Sequence, residues 1–214
     1  MRGKDSTARA AELLQAELDR FETLLSDLLE ISRFDAGAAI LEPEEVDLVD
    51  VAHRVAEMTR ALAQRRSTKV VVHEPGARCV AEADPRRVER IVRNLVTNAI
   101  DHAEGGDVEI FLACDPQASA LAVRDHGVGL AAGESAMVFN RFWRADPARA
   151  RTTGGTGLGL AISLEDTHLH GGWLQAWGRP GEGAQFRLTL PRHVSDPLRH
   201  SPLPLVPSDA RELR

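Results

Sequence analysis

Between residues 46 and 190 the spacing of apolar residues alternates between the period of a helix and that of a strand, which limits the chain to a fold that mixes both. The strongest helical pattern follows Asp84-Pro85, an N-cap side chain followed by a proline suited to the first helical position. Apolar residues then recur at helical spacing from Val88 to Ile100, so one face of this helix belongs to the core.

Shorter patterns predict the remaining elements of this region. A helix is expected over about 48–66, and a further helix follows the glycine-rich run Gly154–Leu160. Strands are expected at 45–47, 69–73, 78–83, 108–114, 121–125 and 185–190. The region therefore reads as a sheet of several strands covered by helices.

Residues 1–37 carry a different pattern, that of one long helix ended by Gly37. Its apolar residues follow a heptad spacing, and flanking apolar residues widen the stripe as in a helix bundle. Periodicity alone leaves open whether this helix packs on its own domain or oligomerises. The heptad residues are Leu14, Leu18, Phe21, Leu25 and Leu28, flanked by Leu24, Leu29 and Ile31.

Composition excludes several classes of function. The net charge of −6 argues against nonspecific nucleic-acid binding. Apolar runs are far shorter than the roughly 18 residues of a bilayer-spanning helix, so no direct membrane contact is expected. A cytoplasmic location is expected because the first residues show no secretory signal and the two lone cysteines fit a reducing compartment. Cys79 and Cys114 form no C-x-x-C pattern and are expected to be small buried hydrophobes. Because a Walker A loop is missing, any nucleotide phosphate must be held by backbone amides, arginine and a metal ion.

A row of polar side chains borders the apolar face of the helix that begins at Pro85. Asn94 and Asn98 lie four residues apart and stack on one side, with Asp101 and His102 one turn further on. An asparagine oxygen can complete the shell of Mg²⁺, which binds through few protein ligands. Without further context, a solvated helix face is the simpler interpretation.

Asp125 directly follows a predicted strand and precedes Gly127 and Gly129. A carboxylate at a strand end, next to glycines that let a ring approach the backbone, can accept a hydrogen bond from an exocyclic amine such as adenine N6. A glycine-rich hairpin or strand exit gives the same pattern.

The stretch 130–156 predicts a lid that docks near an anion, because it holds four arginines, two acidic residues and an aromatic cluster at 139–143. A surface excursion with a small satellite core is the alternative. The glycines that follow open a helix whose first amides suit a phosphate group. Gly181 and Gly183 precede the last strand, where a tight turn or a close approach explains them equally well.

In this order the motifs resemble the ATP-binding catalytic domain of bacterial sensor histidine kinases, within the wider gyrase, Hsp90, histidine kinase and MutL ATPase family. Residues 94–99 resemble the N box, 125–129 the G1 box, 139–144 the F box, 155–160 the G2 box and 181–186 the G3 box. The resemblance covers roughly 13–191. It implies a two-layer α/β sandwich with a mixed sheet, preceded by a long dimerisation helix.

Three segments follow from this comparison and from composition. Residues 1–37 are expected to be the second helix of a dimerisation and phosphotransfer hairpin, and 38–191 the catalytic domain. Residues 192–214 are rich in proline and are expected to be a disordered tail. A homodimer through the N-terminal helix is expected if the hairpin is complete.

The resemblance also implies roles for single residues. Asn98 would ligate a Mg²⁺ that bridges the ATP phosphates, with Asn94 beside it. Asp125 would read adenine, and Arg144 would neutralise phosphate charge, so Asn94, Asn98 and Arg144 are the expected catalytic residues. The other residues expected at the nucleotide are Asp101, His102, Gly127, Gly129, Phe142, Gly155, Thr156, Gly157, Leu158 and Gly159.

Some positions depart from the family pattern. Asp101 stands where lysine is common, and Ala184 where threonine is common. None of the eight histidines begins an H-E-x-x-x-P phosphoacceptor motif, which indicates a fragment, a truncated gene product or a misassigned start. By resemblance the parent is a membrane sensor with this part on its cytoplasmic side.

The implied function is transfer of the ATP γ-phosphoryl group to a histidine on a separate polypeptide and then to an aspartate of a cognate response regulator. One alternative is a nonenzymatic module whose helix pairs with a full-length kinase and modulates it. Another is a serine kinase of the anti-sigma type from the same ATPase family.

Overall fold

The computed structural model describes residues 2–144 and 156–210. The helices in these residues are α1 (Arg2–Asp35), α2 (Leu48–Arg65), α3 (Pro85–His102), α4 (Glu134–Met137) and α5 (Gly159–Leu169). The strands are β1 (Glu44–Asp47), β2 (Val70–His73), β3 (Val80–Ala83), β4 (Val108–Cys114), β5 (Ala118–Asp125), β6 (Trp173–Arg179) and β7 (Gly183–Pro191).

Five strands form one mixed sheet in the order β2-β4-β5-β7-β6. β2 pairs with β4 in parallel, and the other pairs are antiparallel. β1 and β3 form a separate antiparallel pair. Helices α2, α3 and α5 pack against the five-stranded sheet over one hydrophobic core. The predicted α/β sandwich is confirmed.

α3 forms where the local signals predict it. The Asp84 carboxylate accepts hydrogen bonds from the amides of Arg86 (3.0 Å) and Arg87 (3.2 Å), which have no intrahelical acceptor. Every predicted apolar position from Val88 to Ile100 is buried against the sheet and its neighbouring helices. α3 therefore presents its polar row beside a fully packed face.

Strand β6 was not predicted, and it adds an edge to the sheet. Its residues are only half-buried except for Leu174, so no regular alternation of apolar and polar residues marks it. The central strands extend beyond their predicted bounds, because β5 begins at Ala118 and β7 begins at Gly183. β5 and β7 place Asp125 opposite Ala184.

α1 ends at Asp35, and Gly37 adopts a positive φ of 63° just beyond it, as predicted. The last turns of α1 pack on the domain, where Ile31 contacts Leu158 and Ile162 of the α5 region. The apolar seam is exposed to solvent at the five heptad residues from Leu14 to Leu28 and at Leu29, whereas Leu24 is half-buried. In the part of the chain that the structure describes, no helix has the length and apolar character needed to cross a membrane.

The segment after β7 contains no helix or strand up to residue 210, yet it lies against the sheet. Gln185 on β7 donates hydrogen bonds to the carbonyl oxygens of Pro204 (3.2 Å) and Leu205 (2.8 Å). The Thr189 hydroxyl donates to Ser201 (2.8 Å). The disorder expected from the proline content is therefore not what the structure shows, because polar side chains of β7 bind this segment.

His170 joins the end of α5 to the start of α3. Its Nε2 accepts a hydrogen bond from the Asp84 amide (2.9 Å), so the proton lies on Nδ1, which donates to the Asp166 carbonyl oxygen (2.6 Å). His168 is exposed, and both ring nitrogens of His170 are engaged, so the two histidines form no metal pair. Burial lowers the pKa of His170.

We expect His170→Gln to lower the unfolding free energy by about 1–3 kcal/mol, because a buried hydrogen-bonded group is lost. The folded state keeps His170 neutral, so acidification below the ordinary histidine pKa of about 6.5 protonates the unfolded chain first and destabilises the fold. Urea unfolding over a pH series should show this acid-side loss in the wild type and a smaller loss in the variant. His168→Gln is the control, and equal pH dependence in all three proteins would contradict the assignment.

Candidate nucleotide-binding site

Asn94 connects the middle of α3 to the start of α5. Its Nδ2 atom donates hydrogen bonds to the Gly159 carbonyl oxygen (3.0 Å) and to the Ser163 hydroxyl (3.1 Å). A Cβ on Gly159 would lie 3.4 Å from Asn94 Cγ, so the helix start is in van der Waals contact with the amide. The predicted N box and the predicted G2 box therefore meet directly.

Asn98 lies one turn beyond Asn94 and is half-buried on α3. Asp101 forms an ion pair with Arg66 from the end of α2, with Nη2 3.0 Å from Oδ1. This ion pair neutralises the acidic residue that stands where the family commonly has lysine. The His102 carbonyl oxygen accepts a hydrogen bond from the Val128 amide (3.4 Å), which fixes the end of α3 against the loop after β5.

Asp125 ends β5 and is almost completely buried. Its Oδ1 atom accepts hydrogen bonds from the amides of Gly127 (3.1 Å) and Ala184 (3.3 Å). Burial raises the pKa of this carboxyl group, and the two amide hydrogen bonds oppose the rise. Oδ2 accepts no hydrogen bond from the described residues, so one carboxylate oxygen is left for an outside donor.

The loop after Asp125 approaches its neighbours so closely that side chains are excluded. A Cβ on Gly127 would lie 1.8 Å from the His102 carbonyl oxygen, and one on Gly129 would lie 1.8 Å from the Arg179 carbonyl oxygen. The loop is thus pressed between the end of α3 and the β6–β7 turn. Glycine is required here by backbone contact within the protein itself.

The lid region is described on both sides of residues 145–155. Phe142 is exposed, has a positive φ of 63° and donates its amide hydrogen to the Gly157 carbonyl oxygen (2.9 Å). Arg144 is half-buried. Gly155 lies outside the described residues. The predicted F box and the second half of the G2 box are therefore in contact at Phe142 and Gly157.

Two residues predicted at the nucleotide have other partners in the structure. The Thr156 hydroxyl donates to Asp27 of α1 (2.8 Å) and accepts the Leu158 amide hydrogen (3.2 Å). The Leu158 side chain is buried against Ile31 and Ile162. The Leu158 amide can therefore contact a phosphate only by giving up its hydrogen bond to the Thr156 hydroxyl. The amides in the first turn of α5, by contrast, have no intrahelical acceptor.

α1 also contacts the lid and α3 through charged side chains. Arg141 donates to both Asp35 oxygens at 2.6 and 2.9 Å. Glu30 accepts from Arg90 (3.2 Å), which also binds the fully buried Asp166 of α5. The last turns of α1 thus hold the lid and α5 at one interface.

Two residues outside the predicted motifs also shape the site. Ser163 binds Asn94, and Arg124 donates to the Asp125 carbonyl oxygen (2.8 Å). Ser163 lies four residues after Gly159, which is about one helical turn, so the sequence places the two residues on the same side of α5. Arg124 is a charged residue within a mostly apolar strand, and this sequence pattern indicates a buried charge.

Residues 83–194 match the family described as histidine kinase-, DNA gyrase B-, and HSP90-like ATPase. The chain belongs to this ATPase family. α3, Asp125 at the end of β5 and the glycine-led α5 all lie within the residues that match this family.

Curated relatives of this ATPase domain are sensor histidine kinases. The chain is 55% identical over 199 residues to the sensor histidine kinase MtrB of Mycobacterium tuberculosis, covering 93% of this chain and 35% of that protein. It is 36% identical over 188 residues to the kinase AfsQ2 of Streptomyces coelicolor, covering 88% and 34%. The sequences of residues 141–147 and 201–205 predict a similarity to MtrB, and the identity confirms it. The chain spans about a third of these relatives.

Solved structures show the same fold. Full-length ShkA in complex with AMPPNP has a TM-score of 0.69 at 28% identity, over 80% of this chain and 36% of that one. The mycobacterial sensor histidine kinase MprB has a TM-score of 0.57 at 30% identity, over 71% of this chain and 98% of that one. The fold prediction made from the motifs is confirmed.

Proposed function

We propose that this chain binds Mg·ATP and transfers the γ-phosphoryl group to a histidine supplied by another polypeptide segment. The supporting observation is the direct hydrogen bond from Asn94 to Gly159, which joins the polar row of α3 to the helix start expected to receive the phosphates. In this proposal Asp125 Oδ2, which accepts no hydrogen bond from any described residue, accepts one from the adenine amine. Transfer then depends on positioning and on charge neutralisation, with no covalent intermediate on this domain.

Mg²⁺ fits the donor chemistry of α3. Asn98 offers a neutral amide oxygen one turn from Asn94, and phosphate oxygens and water supply the rest of the shell that this ion prefers. When bound, the ion neutralises charge on the phosphates. Arg144 is proposed to contact the same phosphates from the lid.

The proposed partners follow from the relatives. The acceptor histidine lies on a dimerisation hairpin, and the phosphoryl group then passes to the aspartate of an MtrA-like response regulator. A homodimer forms through α1 when the hairpin is complete. The parent protein is proposed to be a membrane sensor with this part on the cytoplasmic side.

The test is transfer in trans from labelled ATP to a purified hairpin that carries the H-E-x-x-x-P motif. We expect acid-labile label on the hairpin that depends on Mg²⁺, and at least about a 100-fold lower rate with Asn98→Ala. Arg86→Ala, an exposed change in the first turn of the same helix, is the control. ATP binding without label on the hairpin would contradict the kinase proposal, and acid-stable label on serine would favour the anti-sigma type.

The exposed seam of α1 favours a second function, that of a nonenzymatic module that pairs with a full-length kinase. Leu14, Leu18 and Phe21 are 66%, 49% and 60% exposed, and such a surface is usually covered by a partner. Co-expression with a full-length relative should then reduce its phosphoryl flux. Unchanged flux would exclude this function.

A further inference from the structure

On the face of the sheet opposite the helices, residues 201–209, here termed the C-terminal strap, lie against β7 and the end of β5. Polar residues of β7 hold it, because Gln185 and Thr189 donate to it and Arg187 donates to the Leu203 carbonyl oxygen. All nine residues of β7 are buried, although alternate ones point away from the helices. The strap therefore buries the polar residues of β7 that point away from the helices.

Arg124 lies on the strap side of β5 and is 2% exposed. Its guanidinium group donates to the carbonyl oxygens of Asp125 (2.8 Å), Glu182 (2.7 Å) and Ala184 (3.4 Å). The guanidinium carbon also lies 5.3 Å from the centre of the Trp177 ring. A single side chain thus connects the end of β5 to the start of β7 at the position where Asp125 binds the Ala184 amide.

The strap supplies the charge that offsets Arg124. Asp209 Oδ2 accepts a hydrogen bond from Arg124 Nη2 (2.9 Å) and lies 3.6 Å from His126 Nδ1. This hydrogen bond lowers the pKa of Asp209. A buried cation is costly unless it is paired, so loss of the carboxylate charge would weaken the hold of Arg124 on its three carbonyls.

We infer that Arg124 is a positioning residue for the adenine-reading carboxylate of Asp125, and that Asp209 of the C-terminal strap maintains it. Arg124 holds the carbonyl oxygens of Asp125 and Ala184, whose backbones are joined through the Asp125 carboxylate, and so fixes the carboxylate oxygen proposed to face the base. Asp209 contacts neither the carboxylate of Asp125 nor the phosphate-side helix in the described residues. This inference rests on the proposed nucleotide site, and it predicts that the strap affects base selection and leaves phosphate binding unchanged.

The test compares ATP with inosine triphosphate, which lacks the exocyclic amine, by calorimetry on the full chain. We expect Asp209→Asn to lower ATP affinity about tenfold and to leave inosine triphosphate affinity unchanged, so that the ratio of the two falls about tenfold. Asp209→Glu should restore most of the ratio. Asp196→Asn, an exposed change in the same C-terminal segment, should have no effect.

Thermal unfolding shows whether Asp209→Asn is folded at the temperature of the binding measurement. A merely structural role would lower both affinities together and leave their ratio unchanged. An unchanged ratio in folded Asp209→Asn, which includes equal losses for both nucleotides, would overturn the inference while the proposed site stands. If the wild type bound neither nucleotide, the proposed function itself would fail, and the inference with it.

Discussion

Replacing Asp125 with asparagine should weaken ATP binding by about 100-fold, because a charged acceptor is lost in a water-poor site. In the wild type, Oδ1 is held by the Gly127 and Ala184 amides, so Oδ2 is the atom left for the adenine amine. In the variant, the single side-chain oxygen of asparagine is needed to accept hydrogen bonds from the Gly127 and Ala184 amides. The NH₂ group of asparagine then faces a donor, and two donors cannot bind each other.

This loss should occur without unfolding. Because burial raises the pKa of Asp125, the ionised carboxylate lowers the unfolding free energy at neutral pH relative to its protonated form. Asparagine removes that cost, so the variant should unfold at a urea concentration equal to or above that of the wild type. Calorimetry with ATP measures the affinity, and Asp50→Asn on the exposed face of α2 is the matched control.

The wild type should also lose ATP affinity on acidification at a higher pH than an exposed aspartate would require, since the raised pKa brings protonation closer to neutrality. Asp125→Asn should lack this acid-side change. An affinity for ATP equal to that of the wild type in the variant would contradict the role assigned to Asp125.

Elements with complete local signals were predictable from sequence. α3 has an N-cap residue, a proline at its first position and an uninterrupted apolar face, so all of its local signals favour the same helix. The sequence also singles out Asp125 and the two glycines that follow it, because Gly-x-Gly at a strand end permits a close approach to the backbone there. These features depend on residues close together in sequence.

Features that depend on distant partners were not predictable. The polar residues of β7 alternate with apolar ones, a pattern typical of a solvent-facing sheet surface. They nevertheless bind residues 12 to 20 positions further along the chain. The motifs predict Thr156 and Leu158 at the nucleotide, and they give no sign that the same side chains contact Asp27 and Ile31 of α1. No local spacing encodes the docking of a helix more than 120 residues earlier in the sequence.

Gly183→Ala should lower the unfolding free energy by about 4 kcal/mol, near the upper end for single substitutions. Gly183 has a φ of +76°, and a Cβ there would lie 1.9 Å from the Asp125 carbonyl oxygen. The three nearest atoms all belong to the backbone of Asp125 and His126, so no side chain can turn away. The strands must separate where Asp125 is held, and ATP affinity should fall in any protein that still folds.

Gly181 provides a control in the same turn. Its φ is +74°, and a Cβ there would meet nothing within 4 Å. Gly181→Ala carries only the conformational cost of a left-handed residue, about 1 kcal/mol. Urea unfolding of both variants separates backbone strain from close approach, because the first is common to both and the second acts only at Gly183. Equal destabilisation would mean that the contact between β7 and Asp125 does not require glycine.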